Sequence, residues 1–264
     1  MILQYDMGPG IMAFSTERHG CGYSKGNYAD FNINPYCGDD PQHIRRNREL
    51  LCGRLGIDDD CLIIPHQTHQ TNIACIDDKW LSLSSSERGD ALESIDALIT
   101  DKKGICIGVS TADCIPVLLY DSFRHVIAAV HAGWRGSVAR IARKVVDEMC
   151  RTYNSSPRDI TAQIGPGISL RSFEVGQEVY DAFAQAGFDM TAISRRYPAA
   201  GNEGEEKWHI DLPQCNRLQL KEAGLTDEHI MLFPVCTYDQ HDRFFSARRL
   251  GIHSGRIFTG VLLV

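Results

Sequence analysis

Between residues 96 and 132 the chain is built from short apolar runs: ICIGV at 105–109, PVLLY at 116–120 and VIAAV at 126–130. Runs of this length, rich in β-formers and bounded by Gly, Asp and Ser, predict three buried strands. HAGWRG follows at 131–136, and beyond it apolar residues recur at 138, 141, 142, 145, 146 and 149. That spacing predicts an amphipathic helix of about four turns entered through a glycine-rich turn. Cys114 and His131 fall at the strand ends. The stretch 96–140 therefore reads as a rigid scaffold presenting two potential metal ligands.

The same patterning covers the rest of the chain. Residues 11–37 predict a strand, a glycine-rich loop and a second strand ending near Asn34. Asp39 or Asp40 caps a helix with Pro41 in its first position. Its apolar positions Ile44, Leu51 and Leu55 put Asn47 and Arg48 on or beside the buried face, where a polar group needs a partner. Arg48 either caps carbonyls there or points into a cavity toward an anion. IIPHQTHQTNIACI at 63–76 predicts a strand, a polar turn holding His66 and His69, and a second strand; residues 77–95 predict an exposed loop. Further on come a strand, a Gly-Pro-Gly turn at 165–167 and a helix starting near Glu174, then a polar loop at 195–209. A helix with Pro213 in its first turn closes at Gly224, and the chain ends in a strand, a loop, a basic segment and a terminal strand. Arg248 and Arg249 are adjacent in that segment, so on an extended backbone at most one faces a cavity. With no internal repeat and no linker, residues 1–264 predict a single α/β domain with mixed sheets flanked by helices.

Composition narrows the chemistry. The 264 residues carry 27 basic and 34 acidic side chains, a net charge of −7, with no basic block. That argues against nucleic acid or an anionic membrane surface as partner. The apolar runs are too short to span a bilayer, and the first twenty residues lack the pattern of a signal peptide, which places the protein in the cytoplasm. Its ten cysteines read as reduced, and no Cys-x-x-Cys occurs, which excludes zinc ribbons, thioredoxin-like sites and the cysteine pair of zinc nucleobase deaminases. Any metal site must be mixed and assembled from distant segments. Gly133 and Gly136 ahead of the helix suggest an anion site beside His131, with Arg135 in the turn.

TADC, HAGWRG, GPGI with FEVG, DLPQCN, CTY followed by FFSARR and SGR, together with RHGCGYSKGNYADFN and NREL, occur here in one order. They resemble the laccase-domain family across essentially the whole chain. Its members were first called multicopper polyphenol oxidases and are now regarded as purine nucleoside phosphorylases with adenosine deaminase activity; their fold is grouped with cysteine hydrolases. The resemblance implies one zinc held by His69, Cys114 and His131. Thr68 and Gln70 stand where the family has Val and Gly, and LRSFEV replaces a segment in which members often carry a cysteine pair and Tyr.

Two imidazoles and a thiolate leave the fourth position of zinc open, the catalytic pattern. The expected function is zinc-dependent phosphorolysis of adenosine and inosine, with methylthioadenosine as a further substrate, to base and ribose 1-phosphate, plus deamination of adenosine. Phosphate would be received by Arg48, Arg135, Arg248 or Arg249 through charge-assisted hydrogen bonds, and Asp113 would orient a ligand. The competing reading is a cysteine hydrolase with Cys114 as nucleophile and His131 as base, of the kind linked to peptidoglycan-precursor editing. A third makes the zinc structural and the protein a binding module. Copper oxidase chemistry ranks last. No His-x-His occurs for a multicopper centre, although a thiolate–imidazole site binds added copper in vitro.

Overall fold

A computed structural model describes residues 2–199 and 202–264. In chain order, strands β1 (Ile2–Tyr5) and β2 (Ile11–Thr16) precede helix α1 (Pro41–Leu55). Strands β3 (Leu62–Ile63) and β4 (Ile73–Cys75) follow, then helices α2 (Asp78–Leu81) and α3 (Ser85–Ala91). Four strands form the middle of the chain: β5 (Ala97–Thr100), β6 (Cys106–Thr111), β7 (Ile115–Asp121) and β8 (Val126–Ala132). Next come helices α4 (Trp134–Val138) and α5 (Ile141–Tyr153), strands β9 (Ile160–Ile164) and β10 (Glu174–Val175), and helices α6 (Gln177–Gln185) and α7 (Met190–Ile193). The last third holds β11 (Ser194–Ala199), β12 (Asn202–Ile210), α8 (Leu212–Glu222), β13 (Ile230–Leu232), α9 (Ala247–Leu250) and β14 (Ile257–Leu263).

Among the described residues the strands make a six-stranded sheet in the order β13-β9-β7-β8-β5-β4, a five-stranded sheet β1-β2-β14-β6-β3, and a small sheet β10-β12-β11. All seven residues of β7 and all seven of β8 are buried. That explains why they read as continuous apolar runs: both faces of the sheet are covered. Val117, Leu119, Ala128 and Val130 pack under α5 and α8, while Leu118, Tyr120, Ile127 and Ala129 pack against β6 and β14 of the other sheet. On the far side of that second sheet Phe14, Cys106, Phe258 and Leu262 meet Leu51 and Leu55 of α1. The layers thus run helix, sheet, sheet, helix, and the expected mixed α/β architecture holds. In β14 Val261 and Leu263 face one core and Leu262 the other, the two-residue period of a strand. Gly108 and Gly260 pair across β6 and β14 because the Phe258 ring lies over both; a Cβ at Gly108 would stand 2.2 Å from it.

Helix α1 starts as its sequence dictates. The Asp40 carboxylate accepts from the Gln42 N–H at 2.8 Å, Pro41 opens the helix, and Gly56 ends it at φ +70°.

Several expectations fail for identifiable reasons. No strand forms at 29–34. That segment is rich in Asn and Asp, and side chains serve its backbone instead of a ladder. The fully buried Asn47 amide donates to the Asn32 carbonyl at 2.8 Å and the Ser24 hydroxyl at 3.0 Å, and accepts from the Tyr23 N–H at 2.8 Å. The expected loop at 77–95 contains α2 and α3, the latter opened by a Ser84–Glu87 capping box. The single helix expected after His131 is two, broken where Arg140 adopts φ +60°. The helix expected near Glu174 begins at Gln177, because Glu174 and Val175 pair with β12. The polar segment 195–209 is largely the β11–β12 hairpin; the expectation also covers Ala200 and Gly201, which lie outside the described residues. The basic segment is helical, α9, so the argument from extended backbone does not apply to Arg248 and Arg249. No helix of the described residues is long and apolar enough to cross a membrane.

Replacing Asn47 with Ala strands several buried partners at once. At about 1 kcal/mol for each hydrogen bond lost, the expected destabilisation is about 2–4 kcal/mol, read as a lower urea midpoint with unchanged slope.

Candidate metal centre

The register of β7 and β8 decides where the site forms. Ile115 pairs with Ala132 and Pro116 with His131, so Cys114, one residue before β7, lies beside Gly133, one residue after β8. Strand β5 pairs with the other side of β8, Ala97 opposite Val130, which brings Asp96 to His131. Cys114, His131 and Asp96 therefore meet at one end of the six-stranded sheet.

Asp96 is fully buried and its carboxylate is surrounded by donors. The His131 Nδ1 donates at 2.7 Å, and the backbone N–H groups of His69, Gln70 and Thr68 donate at 3.1, 2.7 and 3.4 Å. Burial by itself would raise its pKa, but the His131 hydrogen bond and charge and these N–H groups bring it below the ordinary carboxylate value. One carboxylate thus orients the His131 ring and folds the turn that carries His69, a residue at φ +64°. Engaging Nδ1 leaves the His131 Nε2 for the cluster. Gln67, in the same turn, pairs its amide with the backbone of Ser110 at 2.9 and 2.7 Å.

The donor atoms of His69, Cys114 and His131 lie within 4.8 Å of one another, with His131 buried and His69 exposed. Cys114 Sγ is 3.9 Å from His69 Nε2, and the two imidazoles meet edge to face at 4.8 Å between centroids. With zinc–sulfur and zinc–nitrogen bonds of about 2.3 and about 2.0 Å in a tetrahedron, neighbouring donors stand about 3.3–3.5 Å apart. The triad has to close by up to about 1.5 Å to hold a metal ion, and its two nitrogens and one sulfur suit a borderline-soft divalent metal. Gly133 keeps the space free: a Cβ there would lie 3.0 Å from both the Cys114 sulfur and the His69 ring.

Burial opposes ionisation of Cys114, yet the His131 charge and the hydrogen bonds from His131 and His69 outweigh it and bring the thiol down to about 6. Burial likewise disfavours a His131 cation, and Cys114 and Asp96 overcome it, pushing the imidazole up to about 9. Each residue thus favours the charged form of the other, thiolate on Cys114 and imidazolium on His131.

The cluster opens into a cavity of about 250 Å³ walled by Asn34 and Tyr36, by His66, by Ser110 and Thr111, and by Ala247, Ile252 and Arg256. His66 is stacked on Tyr36 at 4.4 Å and paired with Glu93 at 2.8 Å, outside the metal-ligand group.

The residues singled out for phosphate do not line this cavity. Arg48 is spent on the Asp59 carboxylate at 2.7 Å and the Leu62 carbonyl at 3.1 Å. Arg135 lies exposed over the Trp134 ring at 4.3 Å, and Gly136 is inside α4 rather than ahead of it. Arg248 bonds the Glu174 carbonyl at 3.1 Å in a neighbouring hollow, and Arg249 bonds the Tyr238 hydroxyl at 3.2 Å. Asp113 touches no ligand side chain. Its carboxylate accepts from the Thr237 hydroxyl and the Arg248 N–H, both at 2.7 Å, and at φ +85° it locks the turn that delivers Cys114. The orienting carboxylate is Asp96, which nothing distinguished in the sequence beyond its place before a buried strand. Arg256 was missed as well, because its approach to the site depends on how the chain ends meet.

A family model described as multi-copper polyphenol oxidoreductase laccase matches residues 12–264. A purine nucleoside phosphorylase of Bacteroides thetaiotaomicron is 49% identical over 253 residues, covering 96% of this chain and 92% of that protein. Adenosine deaminase RL5, from an unknown prokaryotic organism, is 46% identical over 252 residues, covering 96% and 94%. Among solved structures, the hypothetical protein YfiH of Bacillus licheniformis matches with a TM-score of 0.89 at 29% identity, over 100% of this chain and 96% of that one. Relatives this similar over nearly their full length make the chain an enzyme. The chain belongs to the laccase-like polyphenol oxidoreductase family.

The expected stoichiometry in a zinc titration is one ion per chain. Gly133→Ala, which crowds two donors, and Asp96→Asn, which loosens His131 and the His69 turn, are each expected to weaken zinc about 10- to 100-fold in competition with a chromophoric chelator.

Proposed function

We propose that this enzyme cleaves adenosine and inosine with phosphate, releasing base and ribose 1-phosphate, and deaminates adenosine, at a zinc ion held by His69, Cys114 and His131. The observation that carries the reading is the convergence of three donors from three segments on one side of a cavity, with the other side left open. That is the three-ligand pattern of catalytic zinc. The relatives named purine nucleoside phosphorylase and adenosine deaminase, both alike over nearly their full length, supply the substrate class. When bound, zinc would act as a Lewis acid on water or phosphate in the cavity. The chain contributes the rest: Asp96 holds His131 in its tautomer, Asp113 holds the turn of Cys114, and the walls bring the nucleoside up to the cluster.

The family description implies copper. A His₂Cys set accepts copper(II) readily, yet the described residues contain no further His, Cys or carboxylate cluster like this one beyond the triad. A multicopper centre therefore has no second foothold among them.

One observation favours a second reading. Cys114, His131 and Asp96 are arranged as nucleophile, base and orienting carboxylate, and the thiol is already held down to about 6. A cysteine hydrolase would use those three residues. It would have no need of His69, whose ring closes on the same sulfur.

Two experiments separate the readings. Inosine is expected to yield hypoxanthine only when phosphate is present, and adenosine to yield inosine; dialysis against a chelator should cut both activities by at least tenfold, with recovery on added zinc. Zinc-loaded Cys114 is expected to resist iodoacetamide and the metal-free protein to react. Rapid alkylation of the loaded protein, with activity that survives chelation, would establish the hydrolase instead.

A further inference from the structure

Arg256 is the one lysine or arginine that lines the cavity of the His69–Cys114–His131 cluster among the described residues. Its guanidinium is held from behind by its own turn: Nη1 donates to the carbonyls of Ser254 at 2.6 Å and Gly255 at 3.0 Å, and Nη2 to that of Ile252 at 2.9 Å. None of these partners is a carboxylate, and among the described residues no acidic side chain forms an ion pair with it. The turn is itself anchored. The Arg256 N–H donates to the Asn32 side chain at 3.1 Å, the Gly255 N–H to the Asn27 carbonyl at 3.1 Å, and Gly255 lies so close to the Phe245 ring that a Cβ would stand 2.3 Å away. A fixed, half-buried cation that lacks a counter-ion is poised for an anion from solution.

The wall beside it supplies further donors. Asn34 is 8% exposed; its side-chain oxygen accepts from the Tyr36 N–H at 2.6 Å, and among the described residues no hydrogen bond uses its amide nitrogen. Ser110 and Thr111, 6% and 1% exposed, belong to the same wall, and among the described residues their buried hydroxyls make no hydrogen bond. Buried polar groups left unpaired at a cavity wall are costly unless a ligand or water meets them.

Resting on the proposed phosphorolysis, we propose that Arg256, together with the Asn34 amide, receives the phosphate co-substrate in front of the His69–Cys114–His131 cluster. Held there, a phosphate oxygen gives its electron pair to the ribose C1′. The C1′–N9 bond breaks with its pair going to the purine, and the proton of the entering phosphate ends on the departing base. The products are free base and ribose 1-phosphate.

The test compares wild type, Arg256→Gln and Arg256→Lys, all zinc-loaded, with phosphate binding measured directly by calorimetry and both reactions followed kinetically. Removing the charge is expected to weaken inorganic phosphate about 10- to 100-fold and to lower the ratio of phosphorolysis to adenosine deamination at least tenfold, since deamination takes water. The lysine variant should recover part of the binding, not all, because it lacks the planar fork. Phosphate binding unchanged in Arg256→Gln, or both reactions falling in proportion, overturns the assignment. Phosphate bound by wild type and lost in the variant, without phosphorolysis in either, leaves the anion subsite standing and refutes the reaction. No phosphate bound by wild type refutes the subsite.

Discussion

The candidate site depends on one buried carboxylate. Asp96 sits at zero exposure in the core edge, where an unpaired charge is prohibitive. Four N–H donors remove that penalty, one from the His131 ring and three from the turn that carries His69. The energetics run both ways. The carboxylate is stable because the turn closes around it, and the turn holds an αL histidine because the carboxylate is there to collect its N–H groups. Two donors of the cluster are thereby set by a residue that itself touches neither a cavity nor a metal.

The third donor is set by the sheets. Strands β7 and β8 are buried along their full length, so their register has no freedom to slip: a one-residue shift would exchange the two cores. That register places Cys114 beside Gly133, and the missing side chain of the glycine is what lets sulfur and imidazole approach. Asp113 adds the final constraint from the other direction, tying the Cys114 turn to Thr237 and to the start of α9. The chain spends its rigid scaffold on geometry and leaves only the His69 side open.

The same residues carry two chemistries that exclude each other. As a pair, Cys114 and His131 favour thiolate and imidazolium, with Asp96 steering the ring; an ion held between them and His69 would take up the sulfur's lone pair and with it the free nucleophilicity. Positive charge elsewhere in the chain is mostly committed. Arg48 and Arg249 are satisfied by protein groups away from the cavity, Arg248 sits in the adjoining hollow, and the cation that faces the cluster comes from the turn before the last strand.

The apolar runs at 105–130, the capped start of α1, Pro213 in the first turn of α8, and the positions of Cys114 and His131 at strand ends were legible in the sequence, because each follows from local periodicity or local backbone chemistry. Family motifs added His69. What the sequence left open were the non-local choices. Asn- and Asp-rich residues 29–34 are held by Asn47 of α1 rather than by a strand partner, and the 195–209 segment pairs into a hairpin despite its polarity. Of two buried aspartates near the cysteine, only the β5–β8 register selects Asp96 over Asp113 as the partner of His131. Arginines likewise look alike along a chain. Which of them meets the cavity was decided by the packing of residues 252–256 against the loop at 27–34, a contact between the two ends of the protein.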